Sequence, residues 1–192
     1  MARRPRRTPQ KKSRLPSYFM AAAVLLVLAV AAALALRNKA YREALSVKQE
    51  VKIDTTKGTV VLELYPKLMP VTVSNFIGLA ESGFYDGLVW HRAEDWVVQT
   101  GDPQGTGYGG SGKTIKLETS PALKNVRGAV GMARSQDPNS ASSQFYILKQ
   151  DASWLDGQYA VFGKVTSGMD VIDKLEKGDR MLRVSVGPVE TR

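Results

Sequence analysis

Hydrophobic and polar positions divide the chain into two parts with different patterns. From Leu15 to Leu36 the sequence LPSYFMAAAVLLVLAVAAALAL contains no charged residue. A membrane-spanning helix needs about 20 apolar residues, because each residue advances ~1.5 Å through a hydrocarbon core of ~30 Å. Tyr18 and Phe19 stand where aromatic residues would meet the membrane interface. The run therefore predicts a transmembrane helix or signal anchor over residues 18–36.

Two other interpretations of this apolar run are open. A cleaved signal peptide would use the small-x-small site Ala33-Leu34-Ala35, although the run is longer than the roughly 7–15 apolar residues usual in a signal peptide. A buried core helix is a third option, but no amphipathic pattern accompanies it. We expect a retained anchor, with secretion after signal cleavage as the alternative.

Charged residues flank the apolar run unequally. Seven basic residues and no acidic one precede it within residues 1–14, whereas three basic residues and one acidic residue follow it within 37–43. The more basic side of a membrane span stays in the cytoplasm. We therefore expect a single-pass membrane protein with a basic cytoplasmic tail (1–17), a linker with some helical character (37–49) and an extracytoplasmic domain (50–192).

Beyond the apolar run, alternating positions predict a β-hairpin. Val51 and Ile53 precede the turn sequence TTKG, and Val60, Leu62 and Leu64 follow it at period two. Apolar residues that alternate along a short segment on both sides of a turn are typical of paired strands.

Two segments have the apolar spacing of helices, separated by short strand-like runs. PVTVSNFIGLAESG opens on Pro70 and closes on Gly83, residues suited to the start and the stop of a helix. GMDVIDKLEKG, residues 168–178, predicts a second helix. Short strands with helices placed apart favour an antiparallel β-barrel or sandwich over alternating βαβ units. The remaining apolar runs are Leu88–Trp90, Trp96–Val98, Ala129–Ala133, Gln144–Leu148, Tyr159–Val165 and Met181–Val186.

Composition excludes several classes of site. The 192 residues contain no Cys and one His, so neither a disulfide nor a usual zinc site is expected. The formal net charge is +9, but from Glu50 onward 16 basic side chains face 17 acidic ones. The basic character belongs to the N-terminal segment, and we expect no nucleic-acid partner.

One motif suggests a nucleotide, but its context does not. GYGGSGKT, residues 107–114, matches the phosphate-binding pattern G-x-x-x-x-G-K-[ST]. A working phosphate loop leads into a helix, whereas IKLETSP follows here, alternates like a strand and meets Pro121. We expect no nucleotide. The five glycines from Gly105 to Gly112 still require a backbone that turns sharply or lies close to another group.

Four stretches resemble the cyclophilins, the cyclosporin-binding class of peptidyl-prolyl cis-trans isomerases. They are TTKGTVVLELYPKLMPVTVSNF (55–76), WHRAEDWVVQTGDPQGTGYGGSG (90–112), GAVGMARSQDPNSASSQFYI (128–147) and WLDGQYAVFGKV (154–165). The resemblance runs from about Val51 to Val189. It implies a closed eight-stranded antiparallel β-barrel capped by two α-helices, and it places the glycine-rich loop beside a peptide groove.

The resemblance also implies which residues act. Arg92 would donate to the nitrogen of the twisted prolyl amide, and Gln99 and Gln144 would orient Arg92 and anchor the substrate backbone. The other substrate-binding positions comprise an apolar proline pocket, a segment that pairs with peptide backbone, a cyclosporin-contacting Trp and two groove positions. They are Trp96, Val97, Met132, Tyr146 and Leu155; Ala133, Arg134 and Ser135; Trp154; and Gly107 and Tyr159.

The implied reaction breaks no bond. It needs no cofactor, no metal and no nucleophile, and His91 is expected to be structural because no proton transfer is required. Proline-containing chains and cyclosporin-like ligands are the implied partners. The alternative is a cyclophilin-like peptide-binding or chaperone module whose catalysis is incidental.

Several positions depart from the family's pattern. Trp96 stands where Phe is usual, Tyr146 replaces a pocket Phe, and Arg134 replaces Asn and adds a charge at the groove's rim. Tyr159 stands where many members have His. One residue is missing between Arg92 and Gln99. These differences bear on cyclosporin affinity and substrate preference, and they leave the Arg92, Gln99 and Gln144 set intact.

Overall fold

The computed structural model describes residues 17–191, with the backbone alone for residues 17–21 and 41. Apart from Ser17, the expected basic tail lies outside the described residues. The chain forms two compact units, of which the first ends at Ala40 and the second begins at Tyr41.

Helix α1 (Ser17–Ser46) contains the apolar run and continues through the sequence expected to be a linker. Its part from Ala22 to Ser46 is long and apolar enough to cross a membrane, a test that a signal sequence near the N-terminus also passes. Large apolar side chains between Val24 and Leu36 are exposed. The first strand begins at Val47, directly after α1, so residues 37–49 are helix and strand throughout.

The second unit is built on one antiparallel sheet of eight strands in the order β3-β4-β6-β5-β7-β2-β1-β8. Helices α2 (Pro70–Glu81) and α3 (Met169–Lys174) accompany the sheet, together with a short 3-10 turn at Ser153–Leu155. The strands are β1 (Val47–Thr55), β2 (Gly58–Leu64), β3 (Arg92–Ala93), β4 (Val97–Thr100), β5 (Ala129–Met132), β6 (Phe145–Leu148), β7 (Val161–Ser167) and β8 (Met181–Thr191).

The expectation of a closed barrel was wrong, because the sheet has two edges. β3 and β8 end the strand order and do not pair with each other within the described residues. β3 is only two residues long, so a ladder on its outer edge could hold at most two residue pairs. An isolated bridge between Val89 and Arg180 links the segments that precede the two edge strands instead.

The predicted hairpin and first helix are confirmed. β1 and β2 pair with Thr55 opposite Gly58, which closes the turn. Helix α2 starts at Pro70 and buries Val73, Phe76 and Ala80, as the 3.6-residue period requires. Gly83 ends the turn after α2 with a φ of 74°, a conformation that Gly adopts readily.

The second predicted helix is shorter than its apolar pattern suggested. α3 stops at Lys174 and Leu175 is already extended. Leu175 is almost fully buried, so its side chain belongs to the core while its backbone has left the helix. The apolar spacing indicated which residues are buried, but it overestimated the length of the helix by about one turn.

Phe76 is the centre of the main core. Its ring centroid lies 5.0 Å from that of Tyr85, 5.2 Å from that of Phe145 and 5.3 Å from that of Phe162, and all four side chains are fully buried. The helix is thereby packed against β6 and β7. A smaller second cluster lies elsewhere on the sheet and contains Val97, Ala129, Tyr146, Leu148, Ala152 and Val161.

The glycine-rich loop after β4 is organised by one buried carboxylate. Asp102 accepts hydrogen bonds from the backbone N–H groups of Gln104, Thr106 and Gly107, at 2.8, 2.9 and 2.7 Å. Burial by itself raises the pKa of Asp102, but the backbone N–H groups of Gln104, Gly109 and Gly107 outweigh burial and lower it to about 2. The glycines therefore bring N–H groups around an anion that belongs to the protein.

We predict that Phe76→Ala lowers the free energy of unfolding by about 3–5 kcal/mol, because it leaves a cavity among three aromatic rings. Urea unfolding followed by tryptophan fluorescence measures this change, since all three Trp residues lie beyond residue 89. Val71→Ala is the matched control on the same helix, because Val71 is 44% exposed. Equal losses for both variants would contradict the assigned core.

We predict that Asp102 makes stability depend on acid. Its folded pKa of about 2 lies below the ordinary 3.8, so its stabilisation is complete above about pH 5 and is lost as the pH falls towards 2. The loss amounts to about 2 kcal/mol. Asp102→Asn should be less stable at pH 7 and show a flatter acid dependence when unfolding is measured from pH 7 to pH 2. Identical pH profiles for the two proteins would contradict this role.

Candidate active site

Strand register brings together two of the predicted catalytic residues, Arg92 and Gln99, and the predicted pocket residue Tyr146. Arg92 on β3 is opposite Gln99 on β4, and Gln99 is opposite Tyr146 on β6. Tyr146 is in turn opposite Gly131 on β5. Positions far apart in sequence therefore form one row across four neighbouring strands.

A chain of hydrogen bonds connects the three polar residues expected to be catalytic. Nη1 of Arg92 donates to Oε1 of Gln99 at 3.3 Å, and Nε2 of Gln99 donates to Oε1 of Gln144 at 2.8 Å. Nε2 of Gln144 donates to the carbonyl oxygens of Gly107 and Gly109 at 2.9 and 2.8 Å. Because these carbonyls can only accept, each amide is fixed in the orientation that presents its oxygen towards Arg92.

Beside this chain lies a hollow of about 120 Å³ whose walls are partly apolar and partly polar. Its volume is about four times the ~30 Å³ share of one water molecule in the liquid, which is room for a small ring. Four of the five residues expected in the proline pocket line it, together with Arg92 at its edge. The full lining is Arg92, Trp96, Val97, Gln99, Ala133, Arg134, Tyr146, Leu155 and Tyr159.

Met132, the fifth expected pocket residue, does not line the hollow. Side chains alternate along a strand, and on β5 the position that faces Tyr146 is Gly131. Met132 is the next residue and belongs to the main core with 1% of its surface exposed. Gly131 was missed by the sequence analysis, and a Cβ added there would overlap the Tyr146 ring.

The hydroxyl of Tyr146 has a buried partner. It donates to Oδ1 of Asn125 at 2.7 Å, and Asp156 accepts hydrogen bonds from both the backbone and the side-chain N–H groups of Asn125. Burial raises the pKa of Tyr146, so the hydroxyl stays protonated. Asn125 thus allows a Tyr in a position where the family usually has Phe, and no motif in the sequence indicated it.

A second hollow of about 450 Å³ adjoins the first, and its lining includes Gly107, Ala133, Arg134 and Ser135. Arg134 borders both hollows, with Cζ 4.5 Å from the ring centroid of Tyr159. The backbone N–H of Ser135 donates to the hydroxyl of Ser140. That N–H is therefore already bonded within the protein. In this arrangement it is not available for the expected pairing of this segment with a peptide backbone.

Trp154 and His91 lie outside both linings. Trp154 is 60% exposed, and its ring centroid is 5.7 Å from that of Trp96, on the rim of the smaller hollow. Both ring nitrogens of His91 are buried without a hydrogen-bond partner in the described part of the chain. Burial lowers the pKa of His91, so the ring is neutral at pH 7.

One carboxylate at the site was not expected from the sequence. Glu94 forms two hydrogen bonds with the guanidinium of Arg92 and a third with the indole N–H of Trp96. The spacing of Arg92, Glu94 and Trp96 at every second residue was the only available signal. Across residues 17–191, no three His, Cys, Asp or Glu side chains gather so as to hold a metal ion.

Comparison with known proteins gives one consistent result. The family model described as cyclophilin type peptidyl-prolyl cis-trans isomerase/CLD matches residues 50–189. A peptidyl-prolyl cis-trans isomerase of Helicobacter pylori is 45% identical over 131 residues, which are 66% of this chain and 80% of that protein. A peptidyl-prolyl cis-trans isomerase-like 1 of Neurospora crassa is 42% identical over 130 residues, again 66% and 80% of the two chains.

Solved structures agree with the sequence comparison. The crystal structure of a cyclophilin type peptidyl-prolyl cis-trans isomerase from Cryptosporidium parvum matches with a TM-score of 0.68 and 29% identity, covering 73% of this chain and 98% of that one. A second structure of the same protein, in the presence of the dipeptide Ala-Pro, has the same TM-score at 30% identity, covering 73% and 99%. The chain belongs to the cyclophilin-type peptidyl-prolyl cis-trans isomerases.

Proposed function

We propose that this isomerase accelerates rotation about X–Pro bonds in folding proteins through a single donor, the guanidinium of Arg92. The barrier to rotation is ~18–20 kcal/mol, because resonance joins the amide nitrogen to its carbonyl. In the half-rotated state the nitrogen becomes pyramidal and its lone pair is free. A donor aimed at that lone pair binds the twisted amide better than either planar isomer, which lowers the barrier.

The observation that carries this proposal is that Arg92 lines the smaller hollow while Gln99 holds it from within the sheet. Trp96, Val97, Tyr146 and Leu155 would receive the prolyl ring. Arg92 is permanently charged and planar, so it can donate without any proton transfer. No covalent intermediate is needed.

A peptide-binding or chaperone module with incidental catalysis is the alternative function. It would use the same two hollows and the same aromatic rim. A protein that only binds has no need of a guanidinium at the edge of a proline-sized hollow or of two glutamines that orient it. The geometry around Arg92 therefore favours the enzyme.

Ligands of two kinds fit the proposed groove. Proline-containing chains are the proposed substrates, and the related Cryptosporidium parvum protein was crystallised in the presence of Ala-Pro. Cyclosporin-like ligands are proposed to contact the exposed Trp154. Arg134 and Tyr159 would then face the ligand at the rim between the hollows, where a charge and an aromatic ring lie together.

We further propose that α1 anchors the isomerase in a membrane. The length and apolar character of Ala22–Ser46 support a span. The excess of basic residues before the span supports a cytoplasmic N-terminus with the isomerase domain on the extracytoplasmic side. There it would act on chains that fold after translocation.

We predict that Arg92→Ala lowers kcat/KM for a prolyl peptide by about 100- to 1,000-fold, the loss typical of removing one donor to a transition state. Peptide affinity should change little, since the donor acts mainly on the twisted amide. Isomerisation is measured by exchange NMR and binding by tryptophan fluorescence, on the full-length chain in mild detergent.

Arg127→Ala is the matched control for this experiment. Arg127 is also a half-exposed Arg in a paired arrangement, with Asp173, but it lines neither hollow. Its replacement should leave isomerisation unchanged. If the unchanged and Arg92→Ala proteins bind peptide equally and neither accelerates rotation, the binding-module alternative is supported; equal acceleration by both would contradict the role of Arg92.

We predict that the mature protein retains residues 1–36 and stays in the membrane fraction after carbonate extraction. The apolar run buries enough surface in the bilayer to resist high pH. Intact mass of the protein recovered from membranes measures retention directly. A mass that corresponds to cleavage after Ala35, with the protein in the soluble fraction, would establish the secreted alternative.

A further inference from the structure

Glu94 contacts both a catalytic candidate and a wall of the hollow. Its Oε1 accepts from Nε of Arg92 at 2.7 Å and its Oε2 from Nη2 at 2.9 Å, a bidentate pair. The same Oε2 accepts from the indole N–H of Trp96 at 2.8 Å. Cζ of Arg92 lies 5.1 Å from the centroid of the Trp96 ring.

We infer that Glu94 is a positioning residue for the isomerisation, whose carboxylate fixes the guanidinium of Arg92 and the indole of Trp96 in one arrangement at the mouth of the hollow. This inference rests on the proposed role of Arg92. It assigns to Glu94 no contact with the substrate.

The hydrogen-bond inventory of Arg92 supports a holding role. A guanidinium has five N–H bonds. Glu94 takes two of them and Gln99 takes one, which leaves one N–H on each terminal nitrogen. The side chain is thereby held from two directions while two donors remain for a prolyl amide. An Arg without these partners would lose side-chain entropy whenever it adopted this arrangement. The hydrogen bonds to Glu94 and Gln99 remove much of that cost.

The backbone beneath Glu94 is itself fixed. The N–H of Glu94 donates to the carbonyl of Val97 at 2.8 Å, which closes a tight turn between β3 and β4. The carbonyl of Trp96 accepts from the N–H of Lys149 at 2.8 Å. Glu94 lies two residues along the chain from both Arg92 and Trp96.

The arrangement is the working one rather than an inhibited one. Arg92 lines the hollow and reaches Gln99 while it is paired with Glu94, so the carboxylate does not draw it away from the groove. The pair is also well exposed, at 38% and 45% for the two side chains. An exposed pair contributes little to stability, so Glu94 should affect catalysis more than folding.

The test compares Glu94→Gln and Glu94→Ala in the full-length chain. We expect kcat to fall about 3- to 10-fold in Glu94→Gln, which keeps one acceptor, and further in Glu94→Ala. The affinity for prolyl peptide and the thermal midpoint should stay unchanged. Glu176→Gln, which removes a surface partner of Lys57 away from the hollows, is the matched control and should retain full activity.

A double variant separates this inference from the proposed function. In an Arg92→Ala background, Glu94→Gln should cause no further loss, because Glu94 acts through Arg92. An unchanged or raised kcat in Glu94→Gln overturns the inference and leaves the role of Arg92 standing. The same fold-loss in both backgrounds also overturns it, since Glu94 would then act by another route. If Arg92→Ala alone has no effect, the proposed function fails first and this inference with it.

Discussion

Placement of the Arg92 guanidinium beside the smaller hollow depends on hydrogen bonds that begin far from it. Asp102 gathers the backbone N–H groups of the glycine-rich loop, and the loop's carbonyls then face Gln144. Gln144 orients Gln99, and Gln99 receives Arg92. Along this chain of hydrogen bonds, each group fixes the donor and acceptor directions of the next one. The buried anion Asp102 therefore fixes the loop whose carbonyls orient Gln144.

The sheet supplies the other half of the site. The main core around Phe76 packs α2 on the sheet, and the smaller cluster contributes Val97 and Tyr146 to the lining of the hollow. Gly131 is required beside the Tyr146 ring, since only a residue without a side chain leaves room for that ring. Asn125 accepts the hydrogen bond that the Tyr146 hydroxyl donates. The Tyr146 ring on β6 thus occupies the space that Gly131 leaves open on β5.

Much of the fold and the polar site could be predicted because the signals are local or carried by motifs. Period-two and helical spacing identified the first hairpin and α2, and the family motifs singled out Arg92, Gln99 and Gln144, which hydrogen bonds connect in the structure. Pairing across distant segments gave no such signal. The open sheet, the core position of Met132 and the role of Gly131 depend on which strand face meets which neighbour. Glu94 was not predicted, because an acidic residue two positions from an Arg usually forms only a solvent-exposed ion pair with it.

The central claim is that Arg92 stabilises the twisted amide rather than the bound peptide. The most direct test is the rate of cis-trans exchange of a prolyl peptide under saturation, measured by exchange NMR for the unchanged chain and for Arg92→Lys. Lysine keeps the charge but lacks the planar set of donors that Gln99 can hold. The account predicts much slower exchange on the Lys variant at unchanged peptide affinity. Equal exchange rates at saturation would contradict it.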